Sequence, residues 1–211
     1  MKLAVLISGG GTTLVNLQDH IRRGTLPCEI ALVVGSNQCL GVERAKDSGL
    51  NTAVVRRGSF QSVETFSDAI FEKVRAAGAE AVVLAGFLSL IQIPDDFANK
   101  VVNIHPSLIP AFCGQGFFGH KVHEAAIDRG VKVSGCTVHF ADNAYDHGPI
   151  ILQRTVSIPD GATPEELATL VFEEEKIAYP DAIRLLAEGR LKIEDRRVMV
   201  LPDSVTEDER T

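Results

Sequence analysis

Several absences limit what this chain of 211 residues can be. Its best apolar run, 81–91, is interrupted by Gly86 and Ser89 and is only about half as long as the roughly 18 residues that a membrane span needs. The N-terminus leads straight into an apolar segment, without the cleavage site of a signal peptide. With 21 Lys and Arg against 28 Asp and Glu, and no basic patch, the chain lacks a surface suited to a phosphate backbone. We therefore expect a cytoplasmic protein that binds neither membranes nor nucleic acid.

The four cysteines have neither the paired spacing of a zinc site nor the pattern of a disulfide framework, so we expect free thiols at Cys28, Cys39, Cys113 and Cys136. Apolar residues make up 45% of the chain and charged residues 23%, which is typical of a folded core and excludes global disorder. No internal repeat or linker divides the sequence. We expect a single domain, 1–211, with a polar and frayed tail at 203–211.

Five short apolar runs alternate with segments of helical periodicity in the first half of the chain; the runs are 3–7, 30–34, 52–55, 81–84 and 101–104. Strands that are apolar throughout are buried on both faces, which favours a parallel sheet. The segments between them predict helices that end at glycines, over 14–23, 42–48 and 62–77. Strands that alternate with helices predict an α/β fold with a doubly wound, mostly parallel sheet and helices on both faces.

The second half of the chain is less regular. Prolines and glycines after Asn103 predict a long loop, and long loops in compact domains are often functional. A short helix is expected at 120–129, followed by two strands at 132–140 and 150–158 that could pair as a hairpin. Thr163 has the position of a helix N-cap, and its helix is expected to reach about residue 188.

A glycine-rich turn at 8–14 joins the first strand to the first helix. Its glycines and the helix N-terminus suit an anion such as a phosphate, and a side chain at Gly11 should obstruct that anion. The turn matches neither the dinucleotide-binding nor the Walker pattern. It could equally be a plain turn in which Thr12 or Thr13 caps the helix.

Asn103 and His105 stand at the carboxyl end of a predicted strand, where α/β sheets assemble their sites. One residue separates them, so both side chains point the same way in an extended segment. An amide donor beside an imidazole could stabilise an oxyanion and move a proton. A histidine with a purely structural role is the alternative.

An acidic turn at 142–149 follows the strand that contains His139. A carboxylate in this turn could orient a histidine across the cleft and raise its pKa, although an ordinary hairpin turn would have the same composition. His139 itself is expected on a strand face. His120 and His123 are expected on a helix surface and not as metal ligands.

Four segments in the same order resemble the 10-formyltetrahydrofolate-dependent formyltransferases, in particular those that act on glycinamide ribonucleotide. The segments are LISGGG at 6–11, VVLAGF at 82–87, NIHPSLIP at 103–110, and GCTVHF at 135–140 followed by DHGPI at 146–150. The resemblance extends over about residues 1–192. It implies the doubly wound fold and the transfer of a formyl group to the amino group of 5-phosphoribosylglycinamide. The co-substrate would be 10-formyltetrahydrofolate, and no metal would be required.

The resemblance also implies a role for individual residues. Asn103, His105 and Asp146 match the catalytic residues; Gly11, Thr12, Thr13 and Glu175 match the residues that bind the ribonucleotide. The folate pocket would be lined by Leu88, Ser89, Leu90, Ile91, Asn103, Asp142, Asn143, Ala144, Tyr145 and Asp146. In the mechanism that follows, the substrate amine attacks the formyl carbon, Asn103 and a protonated His105 stabilise the oxygen, and Asp146 keeps His105 charged.

The sequence departs from the family at a few places. Thr13 stands where the family usually has Asn, Val63 and Ser89 stand where some members have an arginine, and Phe172 occupies a commonly polar position. The loop 113–119 is longer than in some relatives. A formyltetrahydrofolate deformylase and a non-catalytic nucleotide- or folate-binding module are the alternative functions.

Overall fold

One sheet of nine strands runs through the protein, whose computed structural model describes residues 1–203. The strands are β1 Lys2–Ile7, β2 Glu29–Gly35, β3 Thr52–Val54, β4 Ala81–Leu84, β5 Val101–His105, β6 Val133–Phe140, β7 Ile150–Ser157, β8 Leu191–Glu194 and β9 Arg197–Val200. The α-helices are α1 Thr12–Arg22, α2 Leu40–Asp47, α3 Val63–Ala76, α4 His120–Arg129 and α5 Pro164–Ala187. Short 3-10 helices lie at Arg57–Ser59 and Asp95–Phe97.

The strand order is β3-β2-β1-β4-β5-β6-β7-β9-β8. Strands β1 to β5 pair in parallel, whereas β6 is antiparallel to both β5 and β7. This confirms the doubly wound, mostly parallel sheet and the hairpin expected from β6 and β7. The order reverses between β1 and β4, and such a reversal opens a crevice at the carboxyl ends of the strands.

The apolar residues of β1 face both sides of the sheet, because successive side chains of a strand point to opposite faces. Leu3, Val5 and Ile7 pack in a cluster that includes residues of α1 and α5. Ala4 and Leu6 pack in a second cluster that includes residues of α3. All five are fully buried, which explains why the run is continuously apolar.

The helix ends agree with the local signals in the sequence. Gly24, Gly49 and Gly78 follow α1, α2 and α3 with positive φ angles, a conformation that favours glycine. At the start of α5, the Thr163 side chain accepts from the Glu166 backbone N–H, and the Glu166 carboxylate accepts from the Thr163 N–H. This capping box confirms the predicted N-terminus of α5.

Helix α5 has an unusual interior residue, Pro180. Because proline has no backbone N–H, the carbonyl oxygen of Lys176, four residues earlier, lacks its partner within the helix. The Asn16 side chain, from α1, donates Nδ2–H to this oxygen at 3.0 Å. The bond fixes α5 against α1 next to Glu175.

The sequence also predicted a C-terminal tail and free cysteines. The tail expected at 203–211 lies outside the described residues except for Asp203, which pairs with Arg190. All four cysteines have free thiols, as expected. Within residues 1–203, no helix is both long and apolar enough to cross a membrane. The single-domain boundary at 1–211 stays a prediction.

Candidate active site

A cavity of about 520 Å³ opens at the carboxyl ends of the neighbouring strands β4 and β5. Most residues expected at a site from the sequence line it: Thr13, Leu88, Ser89, Leu90, Ile91, Asn103, His105, Asp142, Ala144, Tyr145, Asp146 and Glu175. Gly11, Thr12 and Asn143 are not among its lining residues. Segments that are far apart in the sequence therefore meet around one cavity.

Strand β5 presents Asn103 and His105 to this cavity, and Asp146 reaches both from the turn after β6. The Asp146 Oδ2 atom lies 3.4 Å from His105 Nδ1, and Asn103 Nδ2 donates to Asp146 Oδ1 at 3.3 Å. The backbone N–H of Gly114 donates to Asp146 Oδ2 at 2.9 Å. Asp146 thus joins the loop 113–119 to the two residues of β5.

The pKa of Asp146 lies below its ordinary value. Burial opposes ionisation, but contacts with His139, the charge of His105 and the Gly114 N–H outweigh it. The carboxylate is therefore ionised at neutral pH.

His105 is buried, and its ring position is fixed by the carbonyl oxygen of Phe112, 2.9 Å from Nε2. A carbonyl oxygen only accepts, so Nε2 carries a proton. Burial lowers the pKa of His105, and the opposing effects of Asp146 and the Phe112 carbonyl do not compensate. Nδ1 faces the Asp146 carboxylate, which also only accepts, so both ring nitrogens lie beside acceptors; these contacts favour the protonated ring, whereas burial opposes it. The protonated form expected for His105 stays a prediction.

His139 was expected on a strand face and was not predicted as a site residue. It is 1% exposed, lies opposite Asn103 in the β5–β6 pairing, and lines the cavity. Its Nε2 atom lies 3.1 Å from Asn103 Nδ2 and 3.8 Å from Asp146 Oδ1. The register of two antiparallel strands decides this contact, and no sequence signal gives that register.

The glycine-rich turn has a packing role that the sequence did not indicate. Gly11 is the N-cap of α1 with φ 74°, and a Cβ atom on it would lie 2.8 Å from the Gly41 Cα. A side chain at position 11 would therefore displace backbone whether or not an anion binds. Neither Thr12 nor Thr13 caps α1, so that interpretation of the turn is wrong.

Glu175 faces the cavity from α5 and also lines a smaller cavity of about 290 Å³ with His123 and Phe172. Its carboxyl group makes no hydrogen bond or ion pair with any residue in the described part of the chain. Burial raises the pKa of Glu175 to about 7. A partly buried acid without a protein partner is suited to a polar group of a ligand.

Large apolar side chains remain exposed around the cavity entrance. They are Leu88, Phe117, Phe118 and Tyr145, and all line the cavity. Asn143 accepts from the Ile93 backbone N–H at 2.8 Å and so ties together the two loops expected to form the folate pocket. Of the departures from the family pattern, Ser89 lines the main cavity, whereas Val63 does not.

Comparison with known proteins agrees with this fold. The chain matches the formyl transferase family over residues 1–183. It is 35% identical over 197 residues to phosphoribosylglycinamide formyltransferase of Haemophilus influenzae, covering 92% of this chain and 91% of that protein. The crystal structure of glycinamide ribonucleotide transformylase 1 from Symbiobacterium toebii is similar with a TM-score of 0.90 and 41% identity, covering 96% of this chain and 94% of that one.

A formyltetrahydrofolate deformylase from Pseudomonas syringae is also similar, with a TM-score of 0.83 and 26% identity; the match covers 95% of this chain and 66% of the deformylase. The fold and the cavity thus define a formyl-transferring enzyme of the α/β class. The chain belongs to the formyl transferase family. This chain is more identical in sequence to the two glycinamide ribonucleotide enzymes than to this deformylase, and its match covers a larger share of their length.

Proposed function

We propose that this chain transfers the formyl group of 10-formyltetrahydrofolate to the amino group of 5-phosphoribosylglycinamide in purine biosynthesis. The observation that carries the proposal is the buried His105 beside the ionised Asp146, whose carboxylate also accepts from Asn103, at a cavity of a family member. The folate is a co-substrate that is consumed. Transfer between these two substrates requires no metal.

Asn103, His105 and Asp146 have different roles in the reaction. The neutral amine of the ribonucleotide attacks the formyl carbon of the folate. Asn103 and the protonated ring of His105 stabilise the negative charge that develops on the formyl oxygen. Asp146 supports the protonated ring, because an opposite charge within about 4–6 Å favours the charged form. As the bond between the formyl carbon and the folate nitrogen breaks, His105 gives its proton to that nitrogen and takes up the proton that the attacking nitrogen releases.

The substrates take different parts of the cavity. We place the folate against the walls formed by residues 88–91 and 142–146. The ribonucleotide lies towards Glu175 and the N-terminus of α1 at Gly11, Thr12 and Thr13. The helix N-terminus offers N–H groups to its phosphate, and the Glu175 carboxyl offers an acceptor to its hydroxyl groups.

A deformylase would release formate from the same folate by transfer to water. Glu175, which has no partner among residues 1–203, favours the transferase. A deformylase passes the formyl group to water, and water does not need a second partly buried carboxyl group, besides that of Asp146, to bind it. A cytoplasmic location and the lack of nucleic-acid binding remain predictions.

The decisive test is an assay of formyl transfer from 10-formyltetrahydrofolate to glycinamide ribonucleotide, with formate release and tRNA formylation measured alongside. His105→Ala should lower kcat by about 100-fold or more, whereas His20→Ala, a histidine on α1 away from the cavity, should not. Formate release without transfer would identify a deformylase. Ligand binding without turnover would identify a non-catalytic module.

A further inference from the structure

The start of α2 holds the glycine-rich turn at 8–14 through two consecutive carbonyl oxygens. The Gly9 oxygen accepts from the backbone N–H of Gly41 at 3.0 Å. The Gly10 oxygen accepts from the guanidinium group of Arg44 at 2.8 Å. Both carbonyl groups therefore point towards α2.

Gly41 allows α2 to come this close to the turn. A Cβ atom on residue 41 would lie 2.8 Å from the Gly9 oxygen and 3.0 Å from the Gly11 Cα atom. Contacts this short with backbone atoms would push the turn and α2 apart, so the approach requires a residue without a side chain. Arg44 follows almost one helical turn later in α2 and therefore reaches the Gly10 oxygen.

The hydrogen bond from Arg44 also fixes the direction of the Gly11 N–H. The peptide that joins Gly10 to Gly11 is trans, so its N–H points away from its carbonyl group and hence away from α2. Gly11 is buried, and its N–H has no hydrogen-bond acceptor among residues 1–203. Buried N–H groups without an acceptor are rare in native proteins, so this N–H is suited to an acceptor on a ligand.

The peptide between Gly10 and Gly11 needs an outside contact to keep this orientation. Glycine adopts positive and negative φ angles about equally readily, so a peptide with a glycine on each side can rotate at little steric cost. Arg44 supplies the contact. A guanidinium group only donates, so it stabilises the orientation in which the carbonyl oxygen faces α2 and not the reverse.

We propose that Arg44 is a positioning residue, which turns the peptide between Gly10 and Gly11 so that the Gly11 N–H donates to the phosphate of the substrate. The proposal rests on the proposed function for the identity of the phosphate compound. It goes beyond that function because Arg44 is exposed and lies outside every segment that resembles the formyltransferases.

This contact acts on substrate binding and not on the chemical step. The phosphate keeps its charge while the amino group of the same substrate reacts. An interaction that is equally strong in the ground state and in the transition state changes KM and leaves kcat unchanged. Loss of the Arg44 contact should therefore weaken the binding of the ribonucleotide alone.

The first experiment titrates the ¹⁵N-labelled full chain with inorganic phosphate, without either substrate, and follows the Gly11 amide signal by NMR. We expect phosphate to shift this signal in the wild type. Arg44→Met removes the donor and keeps an unbranched side chain, so its Kd for phosphate should be about 5- to 20-fold higher. An unchanged Kd in Arg44→Met, or a wild-type Gly11 signal that phosphate does not move, would overturn the proposal.

Repeating the titration in about 1 M KCl separates peptide orientation from simple attraction between charges. At this ionic strength the Debye length is about 3 Å, so attraction between exposed charges is screened. The orientation of a peptide does not depend on such long-range attraction, so the ratio of the two Kd values should persist. A ratio that falls to one would assign the effect to the charge of Arg44 and overturn its positioning role.

The second experiment measures steady-state kinetics with both substrates. Arg44→Met should raise the KM for the ribonucleotide by the same factor as the Kd for phosphate, with the KM for the folate and kcat nearly unchanged. Arg44→Lys retains a charged donor and should lose less. Equal increases in both KM values, or equal losses in the two variants, would overturn the proposal. Arg22→Met, at the opposite end of α1 from the turn, is the matched control, and thermal unfolding confirms that each variant is folded.

The two experiments separate this proposal from the proposed function. Phosphate binding at Gly11 is measured without either substrate, so normal binding in Arg44→Met overturns the positioning role even in an active enzyme. Absence of formyl transfer in the wild-type protein would instead refute the proposed function, and the phosphate titration would still decide the role of Arg44.

Discussion

Replacing Glu175 by glutamine should stabilise the protein and impair its reaction at the same time. The carboxyl group is partly buried without a partner among residues 1–203, and its pKa of about 7 compares with an ordinary value of 4.5. A difference of this size corresponds to about 3 kcal/mol of unfolding free energy once the group is ionised. Glu175→Gln retains the shape and removes the charge, so this cost should disappear.

The gain should depend on pH in a defined window. Between pH 4.5 and about 7, the folded protein binds more protons at Glu175 than the unfolded chain, so the unfolding free energy falls as pH rises. Glu175→Gln should therefore resemble the wild type near pH 4.5 and exceed it at pH 8. For a chain of this length, about 3 kcal/mol corresponds to an increase in Tm of roughly 6–12 °C.

Thermal unfolding at pH 4.5 and 8 measures the gain, and steady-state kinetics measure its functional cost. The KM for the ribonucleotide should rise, while that for the folate stays the same. Glu173→Gln is the matched control: this neighbouring acid is exposed, pairs with Lys176 at 2.5 Å, and should change stability little. A stability gain in Glu175→Gln that is equal at both pH values, or no gain, would refute the reasoning.

Two further predictions concern the polar contacts around the cavity. Asp146→Asn should lower the pKa of His105 further, since it removes the attraction that opposes burial, and should lower kcat by on the order of 100-fold; an unchanged pKa in an NMR titration would exclude Asp146 from the catalytic pair. Asn16→Ala should cost about 1–2 kcal/mol by leaving the Lys176 carbonyl unpaired, and this cost should shrink in Pro180→Ala, where the helix can pair it. Additive losses in that double-mutant cycle would contradict the account.

Hydrophobic periodicity predicted most of the fold because burial on both faces leaves a continuous apolar run. The strand expected at 81–84 and the helix expected at 120–129 have the observed bounds. The other predicted elements differ from the observed ones by one or two residues at one end or at both ends. These elements carry their own signals, such as terminal glycines and the capping box at Thr163. Strands β8 and β9 were missed because each has only four residues and most of these residues are exposed.

The sequence predicted site residues that lie within one segment, but not the contacts between segments. Asn103 and His105 follow from one strand end, and the family resemblance added Asp146 and Glu175. The sequence could not give the balance between burial, which lowers the pKa of His105, and the charge of Asp146, which raises it. Nor could it give the pairing of Asn103 with His139, since register depends on the assembled sheet.

The missed hairpin of β8 and β9 bears on the cavity through its turn. Arg196 donates to the His147 carbonyl oxygen at 2.7 Å and lies 3.1 Å from His147 Nε2. A guanidinium only donates, so Nε2 accepts and Nδ1 carries the hydrogen of the neutral ring. Nδ1 then donates to Asp142 Oδ2 at 2.7 Å. Asp142 lines the cavity, so the C-terminal hairpin supports the wall that is proposed to contact the folate. The hairpin of β8 and β9, which has only a weak signal in the sequence, therefore has a structural role at the site.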